Sequence, residues 1–407
     1  MLTLMIVLGT RPETIKLAPL IRTAKSRGHR VITVCTGQHR QLIDPLLKFF
    51  EITPDIDLAV MTAGQTLGSL SERILAQLNA NLSGSDVDCL IVQGDTTTAF
   101  VAGYWAFLKR IPVAHVEAGL RTYDLDSPFP EEANRQLLSR IARFHFAPTL
   151  QSARALLDEG VGEMPGVVIK AVGNTGIDAL EHVLRELRGR SLEGCGVDAR
   201  IIQHIGDQPL VWVTAHRRES FGEGFNGICE GILRLAEANK EIRIVYPVHP
   251  NPQVREPVYR LLGGHPQIYL TEPQDYISCV ALMSRASVLL TDSGGIQEEG
   301  PSLRKPIVVM RETTERPEGV TAGFARLVGT DPHRICSEAL SALKNGLMSE
   351  APNPYGDGKA SERIVSTLAE AMNRMRETKN QTPTHVQVPQ VPRVEHEVQV
   401  AETQLNA

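Results

Sequence analysis

No two of the six cysteines (Cys35, Cys89, Cys195, Cys229, Cys279 and Cys336) stand close enough in sequence to form a zinc or redox pair. Such a scatter fits reduced thiols in a cytoplasm and predicts neither a disulfide nor a structural metal. The apolar run that opens the chain, in MLTLMIVLGTRPE, is too short to span a bilayer. It also lacks the charged flank and small-residue cleavage site of a signal peptide, so it reads as a first strand. Excess positive charge is missing too: the formal net charge of -5 argues against nucleic acid or an anionic membrane as partner. Phosphate chemistry would therefore need a local positive site. No Gly-x-Gly-x-x-Gly fingerprint follows the first strand, which disfavours dinucleotide binding, and no internal repeat is visible beyond a duplicated α/β plan.

What is there is ordinary in bulk and patterned in detail. Hydrophobic residues at 42% and charged residues at 22% match a globular protein, and 407 residues exceed the size at which one core stops growing, so two domains are expected. Short β-branched runs alternate with helical stretches in LTLMIVLG, HRVITVCTG, DCLIVQGD and IPVAHVEAG, the pattern of a buried parallel sheet with crossover helices. The pattern restarts after SLEGCGVDARIIQHIGDQ, with strands in PLVWVTAH, EIRIVYPVH, QIYLTEP, SVLLTDSGG and KPIVVM. An α/β protein of two doubly wound domains follows, 1–174 and 175–358. A helix over 359–378 carries Ile364, Leu368, Ala371 and Met375 on one face, suited to pack back on the N-terminal domain. The tail 379–407, rich in Gln, Val, Pro, Thr and Glu, reads as disordered.

In open parallel sheets ligands bind beyond the carboxyl ends of the strands, and the polar residues of both halves collect there. Gly9-Thr10-Arg11-Pro12-Glu13 opens a helix and predicts free backbone donors beside Arg11 and Lys16, a place for an anion. Asp95 in QGDTTT and Glu117 in HVEAG each put a carboxylate beyond a buried strand, where desolvation raises a pKa toward the range useful for proton transfer. Locally, Asp95 is equally a helix cap and Glu117 a partner for Arg121. Glu131 in PEEANR is a third acid at a helix start. In the second half TAHRRES puts His216 and two arginines at a strand tip, enough charge to face a diphosphate. DSGGIQEE adds Ser293, Gly294 and Gly295 at a helix N-terminus, with Glu299 about one turn on, placed for ribose hydroxyls. Asp55/Asp57, Asp86/Asp88 and Asp124/Asp126 have the spacing of metal-binding acid pairs, but three such pairs among 47 acids read as chance. His249 stands at another strand end.

Together GTRPE, QGDTTT, HVEAGLRT, SPFPEEANR, GNTGID, TAHRRES, PVHPNP, TDSGGIQEE and RETTERPE, in order from Gly9 to about Pro317, resemble the non-hydrolysing UDP-N-acetylglucosamine 2-epimerase family. The resemblance implies two Rossmann-like domains of the glycosyltransferase B type with a central cleft, a cytoplasmic homodimer, and a UDP-linked amino sugar as substrate. Arg11 and Lys16 would border the cleft; His216, Ser293, Gly294 and Gly295 would hold the diphosphate; Glu299 would bind ribose and Arg316 a phosphate. Gln274 would lie near the base, where Cys279 replaces an expected aromatic. Asp95, Glu117 and Glu131 would be the catalytic acids. Gln38, Gln41, Glu131, Arg217 and His249 match a second, activating site of some relatives, although Gly64 stands where those carry an arginine.

The implied reaction removes the carbon 2 proton as UDP leaves carbon 1, then re-adds UDP with protonation from the other face, with no cofactor and no metal. It would supply precursors for bacterial surface polysaccharide. The competing readings are a UDP-sugar glycosyltransferase of the same fold and a hydrolysing 2-epimerase.

Overall fold

The computed structural model of the protein describes residues 1–381 apart from 39, 63, 83–85 and 348, with the side chains of 40–42 and 378–381 also outside the description. The expected alternation forms two parallel sheets. The first contains β1 (Thr3–Leu8), β2 (Arg30–Cys35), β3 (Ile56–Asp57), β4 (Cys89–Gln93), β5 (Val113–Val116), β6 (Phe144–Ala147) and β7 (Val168–Ala171), in the order β3-β2-β1-β4-β5-β6-β7. The second contains β8 (Leu210–Thr214), β9 (Arg243–Pro247), β10 (Ile268–Thr271), β11 (Val288–Thr291), β12 (Ile307–Val309) and β13 (Ala325–Leu327), in the order β10-β9-β8-β11-β12-β13. Each reverses direction beside its first strand. That places a switch point between β1 and β4, and another between β8 and β11, where loops diverge and leave a crevice.

Buried parallel strands need apolar residues on both faces, and β4 and β5 are buried along their whole length. Met5, Val7, Leu90 and Val92 meet Ile74, Leu78 and Trp105 from two crossover helices, Leu67–Asn81 and Thr97–Leu108. In the second sheet Val211, Val213, Ile244 and Leu290 join Phe225, Ile232 and Ile335 in a separate core. Strand side chains alternate between faces, so Trp212 projects opposite to Val211 and Val213.

The chain divides into two compact units, Met1–Ala369, which holds both sheets, and a second from Glu370 onward. The helix Ala360–Gln381 begins in the first unit, where Asp178 accepts the backbone N–H of Ala360 and Ser361 at 3.1 and 2.7 Å. Ile364 and Leu368 are buried there, and Arg27 donates to Ser366. The helix runs to Gln381 rather than Thr378; the rest of the expected disordered tail lies outside the described residues. Among the described residues no helix is long and apolar enough to cross a membrane. Acids of the three Asp-x-Asp pairs serve the backbone: Asp55 accepts from Thr33 N–H, Asp88 from Thr3 N–H and Asp124 from Asp126 N–H.

Candidate active site

The loop after β1 differs from its sequence reading. The carboxylate of Glu13 accepts the N–H of Gly9 at 2.8 Å and of Thr10 at 2.7 Å, and the Thr96 hydroxyl at 2.5 Å. Those backbone donors are occupied from within, so this loop offers an anion its side chains, Arg11 and Lys16, rather than a nest of amides. Burial pushes the Glu13 carboxyl up despite these bonds. Gly9 has no room for a side chain, since a Cβ there would lie 2.2 Å from Thr36 Oγ1.

Beyond β4 and β5 the two acids are held apart in separate ion pairs. Asp95 does not cap the following helix; Thr96 does, accepting from Ala99 N–H. Asp95 instead receives Arg135 at 2.7 and 2.8 Å, while Asn134 donates to its carbonyl. Arg135 also bonds Glu132, which is wholly buried and accepts the N–H groups of Thr122 and Tyr123. Glu117 does not pair with Arg121, whose guanidinium is taken by Glu159. It lies in left-handed backbone (φ 65°), costly for a residue with a Cβ and common where function fixes geometry. Its Oε2 receives Lys16 Nζ at 2.5 Å and the Gln93 amide. Glu131 begins the helix Glu131–Ile141, half-buried and next to Glu132.

In the second sheet Asp292, fully buried, accepts the N–H of His216 and Arg217 at 2.6 and 2.7 Å and so shapes the turn after β8. His216 lies nearly parallel to His249, ring centroids 5.5 Å apart. Burial, then the neighbouring His216 and Arg11, push His249 down. Thr214 and Thr291 hydroxyls meet at 2.7 Å, and Ser293 N–H donates to Thr291. Ser293 starts the short helix Gly294–Glu299. Its penultimate residue, Glu298, is a hub that the sequence reading missed: it accepts Arg316 Nε at 2.7 Å and Asn174 Nδ2 at 2.8 Å, and stands 3.8 Å from Lys16 Nζ.

These elements enclose a cavity of about 400 Å³ lined by Arg11, Lys16, His216, Gln274, Ser293, Gly295, Glu299 and Arg316. Gly294 sits beneath the Arg316 guanidinium. Trp212, Tyr276 and Met283 give one wall an apolar face. Tyr276 donates to Glu299 at 3.0 Å, and burial raises that carboxyl to about 7. Cys279 lies in the same wall, its thiol pushed up to about 12 by burial and hence neutral; the aromatic surface comes from Tyr276 and Trp212. Asp95, Glu117, Glu131, Gln38, Arg217 and His249 are not among the lining residues, although Glu117 is bonded to the lining residue Lys16 and His249 stacks on the lining residue His216. Gln38 accepts from Thr98, and the side chain of Gln41 lies outside the described structure.

A sequence profile of the UDP-N-acetylglucosamine 2-epimerase family matches residues 22–369. The UDP-N-acetylglucosamine 2-epimerase of Salmonella typhimurium is 49% identical over 371 residues, covering 89% of this chain and 97% of the relative. The chain belongs to the UDP-N-acetylglucosamine 2-epimerase family. It is thus an epimerase, an isomerase by class. The Campylobacter jejuni member is 44% identical over 91% of this chain and 98% of its own. Among solved structures, the Neisseria meningitidis UDP-GlcNAc 2-epimerase bound to UDP-GlcNAc superposes with TM-score 0.81 at 43% identity, covering 90% of this chain and all of that one. The S. aureus MnaA–UDP co-structure gives TM-score 0.81 at 41% identity, covering 92% and 97%. Within the epimerase family's fold, the strand ends of both sheets supply cations, hydroxyls and carboxylates to one cleft, a composition suited to a phosphorylated ligand with a proton to be moved.

Proposed function

We propose that the protein interconverts UDP-N-acetylglucosamine and UDP-N-acetylmannosamine by eliminating and re-adding UDP, feeding bacterial surface-polysaccharide synthesis from the cytoplasm. The observation that carries this reading is the single cavity in which Arg11, Lys16, His216 and Arg316 converge, with the Glu117 carboxylate bonded to Lys16. In the reaction a carboxylate takes the carbon 2 proton, the C–H electrons form the C1=C2 double bond, and the C1–O bond breaks to release UDP. Cations steady the departing diphosphate. UDP then returns to carbon 1 as a proton reaches carbon 2 from the opposite face. Asp95 and Glu117 are the acid/base pair, with Glu131 as proton shuttle or orienter.

In this reading His216, Ser293, Gly294, Gly295, Arg11 and Arg316 hold the diphosphate, Glu299 binds the ribose, and Gln274 lies at the base. Gln38, Gln41, Arg217 and His249 form a candidate second ligand site. The stacking of His249 on His216 supports communication between that site and the cleft. We assign a homodimer on the exposed apolar residues Tyr104, Phe107, Leu108 and Leu137, carried by two packed helices of the first sheet.

Incubation with either nucleotide sugar in heavy water, followed by NMR, tests the reaction. Deuterium should appear at carbon 2 in step with epimerisation. Retention of the original proton, or stoichiometric accumulation of free UDP, would sink it.

A further inference from the structure

The turn Asn353–Asp357 lies outside every motif discussed above, yet it meets three parts of the cleft. Asn353 donates from Nδ2 to the Glu298 carbonyl at 3.0 Å and to Ser302 Oγ at 2.8 Å, and accepts Tyr355 N–H at 2.9 Å. The carbonyl of Tyr355 accepts Asn174 N–H at 2.7 Å. The Tyr355 phenol donates to the Arg316 carbonyl at 2.9 Å and accepts Gly319 N–H at 2.8 Å. Gly319 must lack a side chain for this approach, since a Cβ there would lie 2.9 Å from the phenol oxygen. Tyr355 is 2% exposed and burial pushes its phenol up, so it keeps its proton and remains a donor.

Three of the residues touched this way, Glu298, Arg316 and Asn174, belong to the hub around Glu298. Glu298 and Arg316 are held to each other by side chains and, separately, by backbone carbonyls that Asn353 and Tyr355 fix. Asn174 gives its side chain to Glu298 and its N–H to Tyr355. An arginine with five donors can settle on a carboxylate in several ways. With Nε on Glu298, the outer nitrogens make a looser contact, Nη1 standing 4.0 Å from Glu315, and can turn to another anion.

We propose that Tyr355 is a positioning residue for Arg316: its hydroxyl fixes the backbone from which the guanidinium reaches the cleft, so that the arginine meets Glu298 through Nε and keeps its outer nitrogens for the nucleotide diphosphate. This rests on the nucleotide-sugar reading of the cleft. The mechanism needs no contact between Tyr355 and ligand.

The test is a double-mutant cycle of Tyr355→Phe and Arg316→Lys, read by calorimetric titration with UDP, KM and kcat for UDP-N-acetylglucosamine, and thermal melting. Tyr355→Phe removes one oxygen and should weaken UDP binding about tenfold, the scale of one well-placed hydrogen bond, with KM rising in parallel. In the Arg316→Lys background that penalty should vanish, because residues acting as a unit are not additive. Unchanged UDP affinity in Tyr355→Phe, or a full penalty in both backgrounds, overturns the proposal. If Tyr355→Phe fails to fold, Asn353→Ala carries the same cycle under the same criteria. Failure of the wild-type protein to bind UDP would instead overturn the nucleotide reading beneath it.

Discussion

Glu298 and Glu299 are adjacent in sequence and face different partners. Glu298 receives Arg316 and Asn174, whereas Glu299 meets a tyrosine hydroxyl in an apolar wall that raises its pKa from 4.5 to about 7. The folded protein thus binds that proton more tightly than the unfolded chain, so the Glu299 contribution to stability falls as pH rises from about 4.5 to about 7. Glu299→Gln should flatten this part of the melting-temperature profile. If the ionised carboxylate binds ribose, UDP affinity of the native protein should climb through the same window, and Glu299→Gln should abolish that climb in calorimetry.

The proposed acids give a sharper contrast. Asp95→Asn and Glu117→Gln should each lower turnover about 10²- to 10⁴-fold with UDP binding largely kept, since a positioned acid or base contributes on that scale. His216→Ala should weaken both, because a phosphate contact acts in ground and transition states alike. An active Asp95→Asn/Glu117→Gln double variant would refute the assignment. Reading single residues from sequence had a clear limit here: Asp95 and Glu117 stand out at strand ends, but their partners Arg135 and Lys16 lie 40 and 101 positions away, and only folding reveals such pairs. Glu13 shows the opposite error. Its helix-start position was legible, and its reach back to the N–H groups of Gly9 and Thr10, which takes two backbone donors from the loop, was not.

Among elements, long apolar β-branched strands were visible and short ones were not. β4 and β8 announce themselves as CLIVQ and LVWVT, whereas Ile56–Asp57, Phe144–Ala147 and Ala325–Leu327 are too brief or too poor in β-branched residues to separate from loop. They become strands because neighbours already in the sheet offer them a ladder. The helix Ala360–Gln381 was legible by period, but its cap was not, since Asp178 lies 183 positions before Ser361. Asp178→Ala should cost about 1–2 kcal/mol, as other lost caps do. Melting should show that loss with UDP affinity unchanged; a large fall in affinity would mean that this helix start also shapes the cleft.

For the whole molecule, the two doubly wound sheets follow from the strand pattern, while the assembly does not. Exposed Phe107 and Leu108 sit at the end of a helix that is otherwise strongly apolar, a combination that marks contact surfaces. Light scattering should give twice the chain mass, and Leu108→Arg should shift it toward the monomer without lowering the melting temperature of the isolated chain. A monomeric wild type would remove the homodimer assignment.

The exchange of Lys16 and Arg316 with Glu117 and Glu298 also bears on how a nucleotide finds the cleft. Two half-buried cations matched by the half-buried Glu117 and the buried Glu298 leave almost no monopole to project into solvent, and a chain of net charge -5 adds none of the attractive sign. Of the arginines and lysines that line the described cavity, Arg11 alone is exposed to pull an anion from a distance. Encounter should then proceed near the rate of an unsteered collision and vary little with ionic strength, the selectivity arising after arrival, when the diphosphate must take the cations from the carboxylates that already hold them.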